Sequence, residues 1–165
     1  MENVYFYEKQ RFNQWWLWLL LAFIGYFVFE PVYFSIMENA SLSSDQWVGF
    51  IILGLVVLLF LLVKLETKIK NDGIYVRFFP FIPKFKFFPW ESISIAVVRK
   101  YSPLMEYGGW GVRWGGNGTA YNVKGNKGLQ LKFKSGNALL VGTQKPDELQ
   151  KVLEELNPSG GNLTD

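Results

Sequence analysis

The chain has 165 residues, of which 50% are hydrophobic and 18% aromatic; its formal net charge is +3, and it contains neither Cys nor His. These absences exclude disulfides, Cys/His zinc sites and the commonest general base. A carboxylate-only Mg²⁺ or Ca²⁺ site would need clustered Asp and Glu, and no such motif occurs, so no catalytic residue, metal or cofactor is expected.

In chain order, the first element is the apolar run WWLWLLLAFIGYFVF from Trp15 to Phe29, which continues past Glu30 and Pro31 to Met37. It predicts a membrane span over about residues 13–34, kinked or stopped at Pro31. Glu30 is either an intramembrane carboxylate, a functional candidate by default, or a residue near the exit that simply reaches water. The run is too long for a cleavable signal peptide, lacks a small-residue cleavage site and is followed by a second span.

That second run, WVGFIILGLVVLLFLLV from Trp47 to Val63, carries no charge and ends at Lys64. As a helix it measures roughly 25 Å, close to the ~30 Å hydrocarbon core of a bilayer. The intervening loop holds Glu38 and Asp45 but no Lys or Arg, whereas Lys9 and Arg11 precede the first span and Lys64, Lys68 and Lys70 follow the second. Cytoplasmic flanks collect Lys and Arg, which predicts an integral hairpin in the cytoplasmic membrane with both termini cytoplasmic. Neither span has a GxxxG motif, since Gly49 and Gly54 are five apart. The first domain boundary therefore falls at 1–64, with a second domain over 65–157 and a disordered tail over 158–165.

From Glu66 the hydrophobic period changes to two, the signature of strands. Asn71-Asp72-Gly73 between two alternating runs predicts a hairpin. Further strands are read at Lys84–Phe88, Ile93–Val97, Leu129–Phe133 and Ala138–Gly142. Pro146-Asp147-Glu148 opens a helix, in which Leu149, Val152, Leu153 and Leu156 form one apolar stripe. The expected fold is thus α+β: a two-helix transmembrane hairpin, then a small antiparallel barrel or sandwich of about seven strands capped by a C-terminal helix.

This plan resembles bacterial membrane proteins with two N-terminal spans and a pleckstrin-homology-like (PH-like) domain. The residues carrying the resemblance are Asn71-Asp72-Gly73-Ile74, Pro89-Trp90-Glu91-Ser92-Ile93 and the helix opening Gly142-Thr143-Gln144-Lys145-Pro146-Asp147-Glu148-Leu149. It implies a membrane-tethered domain that binds lipid or protein, in a family of mostly unknown role.

Three candidate surfaces follow. PH domains that bind phosphoinositides use basic residues around the first hairpin, and here that hairpin offers Lys68, Lys70 and Arg77, with Tyr75 where a second base would stand. Lysines directly after a span are equally explained by the span itself. The segment Tyr101–Gly118, with six glycines and Trp110 and Trp114 either side of Arg113, suits an interface on a mobile loop, or else a twisted hairpin whose Trp pack back. The aromatic run Phe78–Trp90, with Lys84 and Lys86, suits a headgroup layer or a protein contact such as a homo-oligomer.

Residues 64–165 hold fifteen basic and nine acidic groups. That excess favours anionic lipid by about 1 kcal/mol per well-placed Lys or Arg. No nucleic-acid motif accompanies it, so nucleic acid is not an expected partner. The expectation is a non-enzymatic binding or scaffolding protein at the cytoplasmic face, meeting anionic lipid, a protein partner or both. The alternative is an accessory subunit of a membrane transporter or membrane enzyme complex.

Overall fold

The computed structural model describes residues 3–116 and 118–156. The chain is an α+β protein of two compact units. One comprises Phe12–Val63, and the other joins the residues up to Arg11 to those from Lys64 onward.

The helical unit contains α1 (Trp15–Met37) and α2 (Ser44–Leu62). Both are long and apolar enough to cross a membrane. Pro31 lies inside α1 and does not stop it. Gln46 ties the two helices where they turn: its Nε2 donates to the Pro31 carbonyl at 3.1 Å and to Ser35 Oγ at 2.9 Å. It also closes a reciprocal capping box with Ser43, so α2 begins at Ser44, three residues before the apolar run does.

The β unit holds nine strands. They are β1 (Val4–Arg11), β2 (Lys64–Lys70), β3 (Gly73–Phe79), β4 (Ile82–Pro89), β5 (Ile93–Lys100), β6 (Gly111–Gly115), β7 (Gly118–Asn122), β8 (Lys127–Phe133) and β9 (Ala138–Gly142). Two short helices join them, α3 (Pro103–Tyr107) and the C-terminal α4 (Pro146–Leu156). The expected barrel does not form. The strands make two separate sheets, of order β1-β2-β3-β4 and β5-β8-β9-β7-β6. The chain leaves the first sheet at the single 3₁₀ turn Trp90–Ser92, and β5 pairs with β8 instead of β4. The β7–β9 pair is parallel, against the expectation of a wholly antiparallel domain. Residues 158–165, the expected disordered tail, lie outside the described residues.

Residues before the first span form a strand, which the sequence reading left unassigned. β1 pairs antiparallel with β2, ending on the Arg11–Lys64 rung. The helical hairpin is therefore inserted where the turn of a β1–β2 hairpin would be. In β1, Phe6, Glu8 and Gln10 are buried. Glu8 accepts hydrogen bonds from Thr143 Oγ1 at 2.6 Å and the Gln144 amide at 2.7 Å, and Gln10 Nε2 donates to the Gly142 carbonyl at 2.6 Å. These bonds clasp the first strand of one sheet to the end of β9 in the other.

Alternation then sets the core. Leu65 and Ile69 of β2, and Ile74, Val76 and Phe78 of β3, are fully buried, as are Leu129 and Leu131 of β8. The sheets meet through rings, Phe78 with Tyr121 at 6.2 Å and Phe88 with Phe133 at 5.2 Å between centroids. Leu149 and Leu153 of α4 are buried where that helix packs on β1 and β5, each burial contributing about 1.5–3 kcal/mol. The segment Tyr101–Gly118, read either as a mobile loop or as a twisted hairpin, builds α3 and then β6, which pairs antiparallel with β7. Ser102 caps α3 and Gly108, with φ +69°, ends it in the left-handed conformation.

Candidate functional site

The outward face of the β1–β4 sheet collects charge and rings in register. Because β2 buries Leu65, Thr67 and Ile69, it turns Lys64, Glu66, Lys68 and Lys70 the other way. The ladder extends these into rungs: Tyr7–Lys68–Tyr75–Phe87, Lys9–Glu66–Arg77 and Arg11–Lys64–Phe79. Six bases, Lys9, Arg11, Lys64, Lys68, Lys70 and Arg77, thus share one face with the carboxylate of Glu66, and Asp72 stands in the adjoining turn.

The cations lie over aromatic rings. Lys68 Nζ is 4.7 Å from the Phe85 centroid and 5.5 Å from that of Tyr7. Arg77 is 4.6 Å from Phe85, Lys70 is 4.8 Å from Tyr75 and Lys64 is 5.3 Å from Phe79. Each contact contributes about 0.5–1 kcal/mol at an exposed site. Tyr75 and Phe87 stack at 4.6 Å, and Tyr7 and Phe87 both stay 45% exposed. At the hairpin tip Gly73 has φ +155°, and a Cβ there would run into the Phe88 carbonyl. Glycine is required for β4 to close over the turn.

Arg77 is committed to Glu66, with which it forms an ion pair and an Nε–Oε2 hydrogen bond of 2.6 Å. Burial pushes the Glu66 carboxyl up, but the hydrogen bond and charge of Arg77, aided by Lys64, outweigh it and hold the group below its usual value. At Glu8 burial wins over the hydrogen bonds from Thr143 and Gln144, and the carboxyl is raised. The two carboxylates therefore act on stability with opposite signs. The Glu8 contribution is present below the ordinary value of 4.5 and is lost as pH rises through its raised folded value. The Glu66 contribution is present above 4.5 and is lost as pH falls through its lowered one. Glu8→Gln removes only the first. The stability advantage of the wild type over Glu8→Gln, read from thermal melts, is expected to grow as pH falls from neutral toward 4.5. A difference that stays flat with pH would refute this account of Glu8.

The structure thus brings Lys68, Lys70 and Arg77 together and adds Lys9, Arg11 and Lys64, which sequence reasoning did not group with them. Lys86 leaves the face: its ammonium is 3.4 Å from the Tyr121 hydroxyl, on the side of the other sheet. Its partner in the β3–β4 ladder is the buried Val76, so alternation turns Lys86 inward while Phe87, beside Tyr75, faces out. Lys84 is exposed on β4.

Trp110, Arg113 and Trp114 do not form one surface. Trp110 Nε1 donates to the Gly125 carbonyl at 3.2 Å, Arg113 Nε donates to the Trp110 carbonyl at 3.0 Å, and Trp114 projects from the edge strand β6 with 78% of its surface exposed.

A groove of about 770 Å³, absent from the sequence reading, crosses the second sheet between α3, the β6–β7 turn and β8. Arg99 dominates it, but Glu106 Oε2 accepts from its Nη2 at 2.7 Å and Gln130 Oε1 at 3.0 Å, so its charge is neutralised. Tyr101 and Tyr107 pack under α3 with Ala120 and Leu140, and burial pushes the Tyr101 hydroxyl up to about 12, beyond service as an acid near neutral pH. Among the described residues no group of His, Cys, Asp and Glu is placed to hold a metal ion. Compared with known proteins, the chain matches no protein-family model, no curated protein and no solved structure.

Proposed function

We propose that this protein is a non-enzymatic, membrane-anchored binding module that meets an anionic lipid surface through the outward face of its first sheet. One observation carries the reading. Six bases interleaved with aromatic rings occupy a sheet whose first two strands, β1 and β2, connect directly to helices long and apolar enough to span a bilayer. Anchorage removes the translational cost of finding the surface, so individually weak contacts of about 1 kcal/mol per base suffice. The flanking bases and the acidic turn between the helices favour a cytoplasmic β unit at the inner face of a cytoplasmic membrane. Two sheets closed by a C-terminal helix support a PH-like relationship, from which β1 and the parallel β7–β9 pair depart.

The test uses the full chain in lipid nanodiscs, neutral or anionic, with amine-reactive footprinting read by mass spectrometry. Lys68 and Lys70 are expected to be protected in anionic discs and to recover by about 0.5 M salt, as screening demands, while Lys127 on the other sheet reacts equally in both. Protection independent of lipid charge, or of Lys127 alike, would end the reading.

A further inference from the structure

The turn joining β3 to β4 carries an exposed aromatic tip beside the strand that follows the helical unit. Lys64 directly follows the helical unit, and the ladder sets it beside Arg11 on one side and Phe79 on the other. Neighbouring strands lie ~4.8 Å apart. Phe81 is two residues past Phe79, at most ~7.6 Å further along the chain. The Phe81 backbone therefore lies within roughly 13 Å of Lys64, the first residue past the helical unit. β2 runs away from Lys64 and β3 runs back, so the turn overshoots the Arg11–Lys64–Phe79 rung on the side from which both helical connections come. The interfacial layer of a bilayer is ~5–8 Å deep on each side, and a Phe side chain spans much of the remainder. Phe81 packs its ring root on Phe78, at 5.9 Å between centroids, yet stays 59% exposed. Lys64 and Arg11 stand on the adjoining rung, and Lys84 follows in β4.

We infer that the Phe79–Ile82 turn inserts into the headgroup–acyl boundary of the bilayer that holds α1 and α2, with Phe81 as the wedge and Arg11, Lys64 and Lys84 as its cationic collar. The inference rests on the membrane reading above and adds a second, apolar contact to the charged one. Exposed Phe beside Lys is the composition that lies in such a boundary, because ring and ammonium each find their own solvent within a few ångströms.

The chain has no Cys, so each introduced Cys is a unique spin-label site. The full chain, as Phe81→Cys, Ile82→Cys, Leu55→Cys or Met105→Cys, is placed in nanodiscs of phosphatidylcholine with phosphatidylglycerol. Power saturation against oxygen and a water-soluble nickel chelate then reports depth. Leu55 in α2 marks the hydrocarbon, and Met105 on α3, exposed in the β unit, marks water. Labels at positions 81 and 82 are expected to show an oxygen-to-nickel ratio severalfold above that at 105 and below that at 55. Ile82→Cys keeps the Phe81 ring and serves where loss of that ring disturbs the turn. Positions 81 and 82 matching 105, with 55 in hydrocarbon, would overturn the inference and leave the anchor standing. Position 55 in water would overturn both. Immobile labels shielded from both reagents would assign the turn to a protein contact and likewise overturn it.

Discussion

Replacing residues 12–63 by Asn-Gly is expected to yield a soluble, cooperatively folding protein, whereas deleting residues 1–63 is expected to yield an unfolded one. The first expectation follows from the Arg11–Lys64 rung, the last pair of an antiparallel ladder. A two-residue type I′ turn closes such a pair, and its twist matches that of the flanking strands. The second follows from what β1 carries. Phe6 is fully buried, and truncating a buried Phe alone costs roughly 3–5 kcal/mol. Without Glu8, the buried Thr143 hydroxyl loses its acceptor, at about 1–3 kcal/mol, and the Gln144 amide loses a partner as well. Together these approach the whole stability of an ordinary domain, ~5–15 kcal/mol. Circular dichroism melts and amide proton dispersion decide the matter. Two proteins melting alike would mean that β1 is an ornament on the sheet and that the clasp to β9 contributes nothing.

In the excised protein, Lys68→Glu/Lys70→Glu is expected to weaken binding to anionic vesicles by roughly 10³-fold at low salt. Two lost bases remove about 2 kcal/mol, and two new carboxylates add a repulsion of similar size. Each 1.4 kcal/mol is tenfold. The fold is expected to persist, since both side chains lie at the surface of the sheet and outside its core, and the cation–π contacts they give up contribute about 0.5–1 kcal/mol each. Lys100→Glu/Lys127→Glu makes the same change in net charge on a ladder pair of the other sheet, at exposed positions. It is expected to cost far less in vesicle co-sedimentation. Equal losses in the two variants would show that net charge, not the face of the first sheet, governs binding, and the site would be abandoned.

The helices were legible because apolar length is a local property, readable without knowing the fold. The Asn71-Asp72-Gly73 turn was legible for a similar reason, its conformational demand lying within three residues. β1 was not, because two of its three buried residues are polar. Glu8 and Gln10 point inward to partners more than 130 positions away, Thr143 and Gly142, and no local pattern announces such a bond. With β1 unread, Lys9 and Arg11 looked like flanks of a span, although they belong to the basic face. Lys86 was misplaced for a different reason: its rung partner is the buried Val76, and alternation within β4 alone does not say which of its two faces turns inward. The glycines of Tyr101–Gly118 suggested a loop, yet they cap α3 and bound β6. Closure into a barrel was misjudged because alternation reports which face is buried and says nothing of which strand is the neighbour.

The insertion of both helices between paired strands bears on biogenesis. β1 leaves the ribosome before both helices and meets β2 only after they have been made. If only one helix crossed the bilayer, β1 and β2 would emerge in different compartments and their ladder could never close. Sheet formation is then conditional on an even number of crossings. On the membrane reading proposed above, the domain would report its own insertion, since a chain threaded once would leave β1, with its Phe6, without its partner β2.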